Sequence, residues 1–370
     1  MMFINYFLGD AVNRIKISTV LFLLILLMSK SAFSQTNPAG TTINSTLWQN
    51  SSVLVNDGTI ATSGQRGIGN FYGGTTTNNG TITTYNNHGI ETETAASIYN
   101  NGTITTFGIA NAIGAGSSSG GNSLVNTGTI TSNDNTVALR NTTYVNNSGT
   151  ISTDSASHSA LFLGGATNFN FTNSGTISSA GNAVTSWTGD PAAMGTLTNT
   201  GTIQAGIGYY GINYVGSINT IINSQGVGNA AGALTLYGQM PQNYNVIINS
   251  PTNYGQLAIT DPNTTSFNFG IDSSSTVANG TYNDVLQGLS SIDNVTGASG
   301  TFGASNYQLV FDVTKGSAND WNLVITSNAG VAPEMNASLI PQVGLLLGCL
   351  FFMFGRKKQN SDSQLRTLMT

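Results

Sequence analysis

Acidic side chains are the first candidates for chemistry in this chain, and they are scattered singly along it. Only the segment ETE places two carboxylates close together, Glu91 and Glu93, on one face of a predicted strand. Cleavage of a polysaccharide needs converging carboxylates, or an acid beside a cation. Because Arg66 and Arg140 lie three repeat units apart, the sequence predicts no catalytic residues, no cofactor and no enzyme. The other acids of the central region are Asp57, Asp134, Asp154, Asp190, Asp261, Asp272, Asp284, Asp293, Asp312 and Asp320.

The two histidines do not suggest a metal site. His88 and His158 are three repeat units apart and have no cysteine or second histidine near them, whereas transition-metal sites combine several such ligands. The glycine pairs of the chain also lack the aspartates of calcium-binding nonapeptide repeats. We therefore predict no bound metal and place both histidines in surface loops.

Four aromatic residues are candidates for a platform that stacks on a sugar ring. The segments SWTGD and IGYYGINY place them about one repeat unit apart, and aromatic faces pack well against apolar surfaces. The alternative is that these rings cover an edge of the fold or fill its core. The candidate glycan contacts are Trp187, Tyr209, Tyr210 and Tyr214.

The segment Thr-Ile-Thr occurs at residues 81–83, 103–105 and 129–131. Stacked Thr-x-Thr columns resemble the flat face of β-solenoid ice-binding proteins, which implies ice binding as a minor alternative. In later units the second threonine is replaced, finally by Gln204. Outward β-branched residues are also ordinary on strands.

A repeat must position all of these residues. Asn-x-Gly-Thr-Ile recurs seven times at spacings of 21–26 residues, and four places before the glycine stands an apolar residue in six copies and Thr76 in the other. A period of this length indicates a repeat architecture. The repeat residues are Asn56, Gly58, Ile60, Asn78, Gly80, Ile82, Asn100, Gly102, Ile104, Asn126, Gly128, Ile130, Asn147, Gly149, Ile151, Asn173, Gly175, Ile177, Asn199, Gly201 and Ile203.

The composition of the repeat favours β-structure, because it is rich in β-branched and small residues and has no helical apolar stripe. A unit of this length suits three short strands and three turns. We therefore predict an all-β fold, a right-handed parallel β-helix whose equivalent residues stack about 4.8 Å apart. Isoleucine would fill the interior and glycine would turn a corner with positive φ. Asparagine would tolerate left-handed backbone and form hydrogen bonds along its column.

The domain boundaries follow from where this pattern begins and decays. Residues 35–54 are predicted to form an entry cap in which Trp48 covers the first edge, and residues 55–240 a β-helix of about eight coils. Residues 241–330 contain longer alternating strands and are predicted to form an antiparallel β cap or small β domain.

The N-terminal segment predicts export. Residues 1–34 read as a signal peptide for signal peptidase, because Arg14 and Lys16 precede the apolar run Val20–Met28. Between this segment and the C-terminal one, residues 35–337 hold three cations and thirteen acids. No basic face is therefore available for nucleic acid.

The C-terminal segment predicts at least transient anchoring in the inner membrane. Residues 331–338 would be a linker, 339–355 an uncharged transmembrane or sorting helix, and 356–370 a basic cytoplasmic tail. The single cysteine, Cys349, lies inside this apolar segment, so no disulfide is expected in the exported region.

Two family resemblances follow from these motifs. The Asn-x-Gly-Thr-Ile units and the following β region resemble the passenger β-helices of bacterial autotransporters and related surface adhesins. The C-terminal segment resembles PEP-CTERM sorting signals, which implies processing by an exosortase-type enzyme and release to the surface or matrix. The residues that match the sorting motif are Pro333, Glu334, Arg356, Lys357 and Lys358.

These observations predict an exported, non-catalytic structural or adhesive protein of the bacterial cell envelope, outer surface or extracellular matrix. Its expected partners are signal peptidase, an exosortase-type enzyme and the membrane, with polysaccharide binding and self-association left open. The alternative is a β-helix that binds or degrades glycans.

Overall fold

The described part of the chain forms a parallel β-helix of about ten turns, and its regular elements are all strands. No helix in the described part of the chain is long and apolar enough to cross a membrane. The predicted signal peptide, sorting motif, C-terminal helix and basic tail lie outside the described residues. The computed structural model describes residues 34–49, 53–116, 121–165, 167–189, 191, 193–264, 266–313 and 319–327.

Each complete coil contributes one strand to each of three faces. Strands are numbered β1 to β37 in chain order. The first face is a twelve-stranded sheet of β1 (Ser34–Asn37), β4 (Val53–Asn56), β7 (Gly74–Asn78), β10 (Ala96–Asn100), β13 (Asn122–Asn126), β16 (Thr142–Asn147), β19 (Thr167–Asn173), β22 (Ala193–Asn199), β25 (Ile218–Asn223), β28 (Pro241–Val246), β32 (Phe267–Ile271) and β34 (Val295–Thr296). The second face is an eight-stranded sheet of β2 (Thr42–Ile43), β5 (Thr59–Ser63), β8 (Thr81–Tyr85), β11 (Thr103–Phe107), β14 (Thr129–Ser132), β17 (Thr150–Thr153), β20 (Thr176–Ser179) and β23 (Thr202–Gln204).

The third face has fourteen strands and changes character near its C-terminal end. It comprises β3 (Leu47–Gln49), β6 (Ile68–Asn70), β9 (Ile90–Thr92), β12 (Ile113–Ala115), β15 (Val137–Arg140), β18 (Leu161–Gly164), β21 (Val184–Ser186), β24 (Ile212–Tyr214), β27 (Leu234–Gly238), β31 (Leu257–Thr260), β33 (Gly280–Gln287), β37 (Trp321–Ser327), β36 (Ser305–Phe311) and β35 (Ser299–Phe302). A small antiparallel sheet contains β26 (Gly226–Val227), β30 (Asn253–Gly255) and β29 (Ile248–Ser250).

A buried column of asparagines runs along the end of the first face. In each link the side-chain Nδ2 of one asparagine donates to Oδ1 of the asparagine in the next coil, over 2.7–3.0 Å. The same amide groups also donate to backbone carbonyl oxygens at the turn. Because a buried amide without partners is costly, each asparagine depends on its neighbours. The column is Asn37, Asn56, Asn78, Asn100, Asn126, Asn147, Asn173, Asn199 and Asn223.

The asparagine column is closed at both ends by other side chains. At its start, Oδ1 of Asn37 accepts a hydrogen bond from Thr41 Oγ1 over 2.5 Å. At its end, Asn199 donates to both Asn223 and the Oε1 of Gln225, each over 3.0 Å, and the last member, Asn223, donates from Nδ2 to the carbonyl oxygens of Gln225 and Gln256 over 2.8 and 3.1 Å. The ladder is therefore complete within one chain and offers no open amide for a second copy.

Isoleucines fill the interior beside this column. The second-face residues from Ile43 to Ile203 pair in one register, and those from Ile60 onwards are at most 1% exposed. The exception in the apolar column of the first face, Thr76, is also buried, and its Oγ1 accepts a hydrogen bond from Asn70 Nδ2 over 3.1 Å. Burial of a polar residue is tolerated there because it is paired.

The repeat glycines have a different role from the predicted one. None of the seven has a positive φ, so the predicted left-handed corner is wrong. Each instead lies directly under the preceding coil: a Cβ on Gly80 would overlap the carbonyl oxygen of Gly58, and a Cβ on Gly128 that of Gly102. The stacking distance, rather than the turn, therefore requires glycine.

The repeat asparagines likewise do not adopt left-handed backbone. Residues with positive φ other than glycine are Asn86, Asn141, Asn168, Asp261 and Asp284, none of which belongs to the repeat motif. The motif selects asparagine for a side chain that donates and accepts in the same column.

The parallel coil begins earlier and ends later than predicted. The region 35–54, expected to be an entry cap, contains strands of all three faces that pair in parallel with the next coil. Trp48 does not cover an edge: Leu47 points inwards, so Trp48 lies half-exposed outside the third face, 5.5 Å from the ring of Phe71. Parallel pairing also continues past residue 240, through β31 and β32.

The antiparallel cap forms from a smaller segment than expected. The third face becomes antiparallel only where β33 pairs with β37, followed by the β36–β35 hairpin. The second face stops earlier because Gln225 acts as its last member: its side-chain amide bonds both the N–H and the carbonyl oxygen of Ile203, over 2.7 and 3.0 Å. Residues 280–327 therefore contain the cap predicted for 241–330.

Replacing Asn126 by alanine tests the buried ladder. The change leaves Oδ1 of Asn147 without its donor and removes one acceptor from Asn100, so we expect the free energy of unfolding to fall by about 2–4 kcal/mol. Urea denaturation measures this loss. The matched control is Asn101→Ala, which breaks an exposed side-chain ladder one residue away from the buried one and should change stability by less than about 0.5 kcal/mol. Equal effects of the two variants would contradict the role given to the buried ladder.

Replacing Gly128 by alanine tests the close approach of successive coils. The new Cβ would overlap the carbonyl oxygen of Gly102, and we expect a loss of about 3 kcal/mol or more in the free energy of unfolding. Gly116→Ala is the control, because no heavy atom lies within 4 Å of a Cβ there and the unfolded chain loses entropy. Thermal unfolding should show a large decrease for the first variant only.

Candidate binding groove on the third face

Two columns of outward residues define a groove on the third face. Side chains alternate along a strand, so the residues next to the buried Ile113 and Ala115 point away from the core. The first column is Glu91, Gly114, Ala138 and Phe162. The second column contains the paired residues Arg140 and Gly164 and continues, one residue past the paired strand ends, at Glu93, Gly116 and Trp187.

The groove exists because small residues separate large ones in both columns. Gly114, Gly116 and Ala138 form its floor, while Glu91 and Glu93 stand at one side and Arg140 and Trp187 at the other. The cavity has a volume of about 210 Å³ and is open to solvent. It is therefore the size of a small ring or side chain rather than of an extended ligand.

Glu91 is fixed by Arg66 from an adjacent coil. The Nε of Arg66 contacts Oε2 of Glu91, and the two side chains are 30% and 19% exposed. The guanidinium group of Arg66 also lies 5.9 Å from the ring centre of Trp48 and 5.2 Å from that of Phe71. These contacts neutralise Glu91 and hold its carboxylate at the edge of the groove.

Arg140 is held by an aromatic ring rather than by an acid. Its guanidinium carbon lies 3.8 Å from the ring centre of Trp187, which in turn packs 5.2 Å from the ring of Phe162. Gly164, between Arg140 and Trp187 in the second column, leaves room for this stacking. The Nε of Arg140 is buried and has no hydrogen-bond partner among the described residues. A guanidinium group stacked in this way keeps its N–H groups free for another acceptor.

His88 forms a rim of the groove. Its ring lies against Gly114, where a Cβ would be 3.2 Å from both Cε1 and Nδ1. Nδ1 lies 3.2 Å from the carbonyl oxygen of Asn111, which can only accept, so Nδ1 carries the proton and Nε2 of the neutral ring is an acceptor. Burial lowers the pKa of His88, the Asn111 hydrogen bond and Asp134 raise it in part, and Arg66 lowers it further.

The structure separates the four predicted glycan contacts. Tyr214 is 1% exposed and lies in the core, where burial raises the pKa of its hydroxyl. Tyr209 is 41% exposed, and Tyr210 stacks on Tyr237 with ring centres 4.7 Å apart. Trp187 is 37% exposed and packs towards Phe162 instead. In the described part of the chain no ring contact joins Trp187 to these tyrosines, so the four residues do not form one platform.

The second histidine lies outside the groove. His158 Nε2 lies 3.1 Å from Oδ1 of Asp134 in an adjacent coil, and its Nδ1 lies 2.9 Å from the hydroxyl of Ser155. No group of three or more metal-ligating side chains occurs among the described residues.

Sequence reasoning missed the groove because the third face has no consensus motif. Arg66 and Arg140 are indeed far apart along the axis, but each takes part through a different neighbour, Glu91 or Trp187. The available signal was the run of small outward residues, at 114, 116 and 138, between an acidic pair and an aromatic residue. These small residues lie side by side in neighbouring coils because β9, β12 and β15 pair in one register.

Compared with protein-family models, with curated proteins and with solved structures, the chain gives no significant match to any of them. The groove and the ladders therefore rest on their own geometry.

Acidification should destabilise the protein through His88. Because its pKa is lowered in the folded state, the unfolded chain binds more protons below the ordinary value of 6.5, and stability falls as the pH falls through that value. The other charged groups near this ring are the same in the native protein and in the variant described below. They are Glu91, Glu93, Arg66, Arg140 and Asp134. Between about pH 7.5 and about pH 5, the thermal unfolding midpoint should fall further for the native protein than for His88→Gln. An equal decrease would contradict this assignment.

Proposed function

We propose that this chain is an exported, non-catalytic structural or adhesive protein of the cell envelope, outer surface or extracellular matrix. One observation carries the proposal: the repeat fills the inside of a long coil with uncharged columns and leaves an outer surface that is poor in cations. Only two cations lie among the described residues: Arg140 is on the third face, and Arg66 contacts Glu91 of that face. Such a rod can hold contact surfaces away from the cell without performing a reaction.

The exposed aromatic residues support an adhesive role. Tyr85 and Phe107 occupy paired positions of neighbouring coils and stack with ring centres 4.9 Å apart, although they are 49% and 39% exposed. Ile109, two residues further on, is 87% exposed. Exposed apolar side chains that lie together are typical of surfaces that bind a partner. The surface of another macromolecule, such as a polysaccharide, would cover these side chains.

Export and sorting are part of this proposal and rest on the sequence. The signal peptide at 1–34, the motif at Pro333 and Glu334, and the basic cluster beginning at Arg356 favour processing by signal peptidase and an exosortase-type enzyme. The β-helix would then be released from the inner membrane or remain anchored there.

A glycan-binding or polysaccharide-degrading β-helix is the second candidate. The observation that favours it is the groove with Glu91, Glu93, His88 and Arg140 around one cavity. Binding needs only these hydrogen-bonding groups, whereas hydrolysis needs two carboxylates with separate acid and base roles. Since Glu91 is committed to Arg66, the geometry favours binding over turnover.

Ice binding is a minor alternative that rests on the second face. Its outward threonines pair from Thr42 through Thr59 and Thr81 to Thr202 in one register. The parallel column two residues further along becomes serine and then Gln204. Over the later coils, therefore, only the first of the two outward columns still consists of threonine.

Mass spectrometry of both termini tests the proposed export. We expect an N-terminus near residue 35, and, on protein from the medium, a C-terminus within residues 332–338. The measurement is made separately on cell-envelope and medium fractions. An intact Thr370 found only in membranes would contradict sorting, and an intact Met1 would contradict cleavage by signal peptidase. In a separate assay the protein is incubated with polysaccharides. The formation of new sugar-chain ends would contradict the non-catalytic role.

A further inference from the structure

The groove on the third face combines one unpaired acid with one unpaired cation. Glu93 and Arg140 follow the paired residues Thr92, Ala115 and Leu139 and are separated by Gly116. Two strand spacings put their backbones roughly 10 Å apart. No carboxylate lies within ion-pair distance of Arg140 among the described residues, and Glu93 has no cation there. The two side chains therefore face each other across an open space rather than neutralising each other.

The charge balance favours a ligand without net charge. Glu91 is compensated by Arg66, so Glu93 and Arg140 are the remaining charges of the groove. An anionic ligand would be attracted to Arg140 but repelled by Glu93. A cationic ligand would be attracted to Glu93 but repelled by Arg140. A neutral hydroxyl group can donate to the carboxylate and accept from the guanidinium group, so a polyhydroxylated ligand satisfies both sides.

Several groups in the groove lack a partner that such a ligand would supply. Arg140 lines the cavity with its guanidinium group stacked on Trp187, and a stacked guanidinium group keeps N–H groups available for another acceptor. Nε2 of the neutral His88 ring is an acceptor on the opposite rim. At the end of the groove Trp187 presents an apolar surface that is 37% exposed, against which the C–H groups of a sugar ring can pack.

The size of the cavity limits what fits. Its volume of about 210 Å³ is below the range of about 300–1,000 Å³ that is common for drug-sized ligands. The glycine floor leaves the groove open to solvent, so a ring can enter while the rest of its chain continues along the surface.

We propose that this groove binds a single neutral pyranose unit of a polysaccharide, with Glu93 and Arg140 on its two sides and Trp187 at its end. The site deepens the proposed function, on which it rests, because it names the chemical class that an adhesive rod of this kind would hold. Glu93 accepts from one hydroxyl group, Arg140 donates to another, and His88 accepts from a third. The site forms no covalent bond with the sugar.

Filling the groove without disturbing the coil tests this proposal. A Cβ at Gly116 meets no heavy atom within 4 Å and its φ is not positive, so Gly116→Leu places a side chain in the cavity while keeping the fold. The matched control, Thr81→Leu, adds the same side chain at an exposed position of the second face. Arg140→Gln removes the guanidinium donors, and thermal unfolding checks that all variants are folded.

Binding of the native full chain is measured on an array of neutral gluco-, manno-, galacto- and xylo-oligosaccharides, together with oligogalacturonates. We expect at least one neutral series to bind, with at least a tenfold loss of affinity in Gly116→Leu and Arg140→Gln and no change in Thr81→Leu. Binding of oligogalacturonates alone, no binding of any neutral series, or equal binding by Gly116→Leu would overturn the proposal.

Adhesion to cell-surface or matrix material that survives Gly116→Leu would keep the adhesive function while excluding the groove as its site. Cleavage of a sugar chain would exclude the non-catalytic function.

Discussion

The rest of this structure depends on the hydrogen bond between the side chains of two asparagines in successive coils. An amide can donate and accept along the same line, so one residue type repeats through the core without leaving an unpaired group. The bond forms only if equivalent residues lie in the same register, about 4.8 Å apart. A slip of one residue would also turn the isoleucine column outwards. Asn126 and its neighbours therefore fix the coil, and the variation in repeat length, 21–26 residues, is confined to the segments between the ladders.

The same spacing explains the glycines and the shortage of charge. The turn after each asparagine brings the carbonyl oxygen of one glycine under the Cα of the next, so a side chain at Gly128 would occupy the space of Gly102. On the outside, a charged column would place like charges one strand spacing apart, which is unfavourable. The structure meets this constraint with neutral threonine and asparagine columns, and Arg66 and Glu91 are paired across coils.

The sequence predicted the parallel β-helix and its register because the motif consists of the residues that stack on one another in successive coils. It could not distinguish two physical reasons for glycine, positive φ or close approach, since both exclude a Cβ, and the predicted reason was the wrong one. The extent of the coil was also underestimated, because β28 and β32 keep the interior pattern with Tyr244 and Phe269 in place of the motif. Tyr214 was assigned to a surface platform because alternation cannot be read in a strand of three residues.

The location of the groove follows from these constraints. The first face ends in the asparagine column, and the second carries isoleucines within and a column of threonines outside, so the same residue types recur from coil to coil on both faces. The third face needs only an apolar inward residue in each coil, such as Ile113 or Val137. Its outward positions are free to differ from coil to coil, which lets Glu93, Gly116 and Arg140 occupy one column. A recognition site in a strictly stacked fold is therefore expected on the face where stacking constrains the outer residues least.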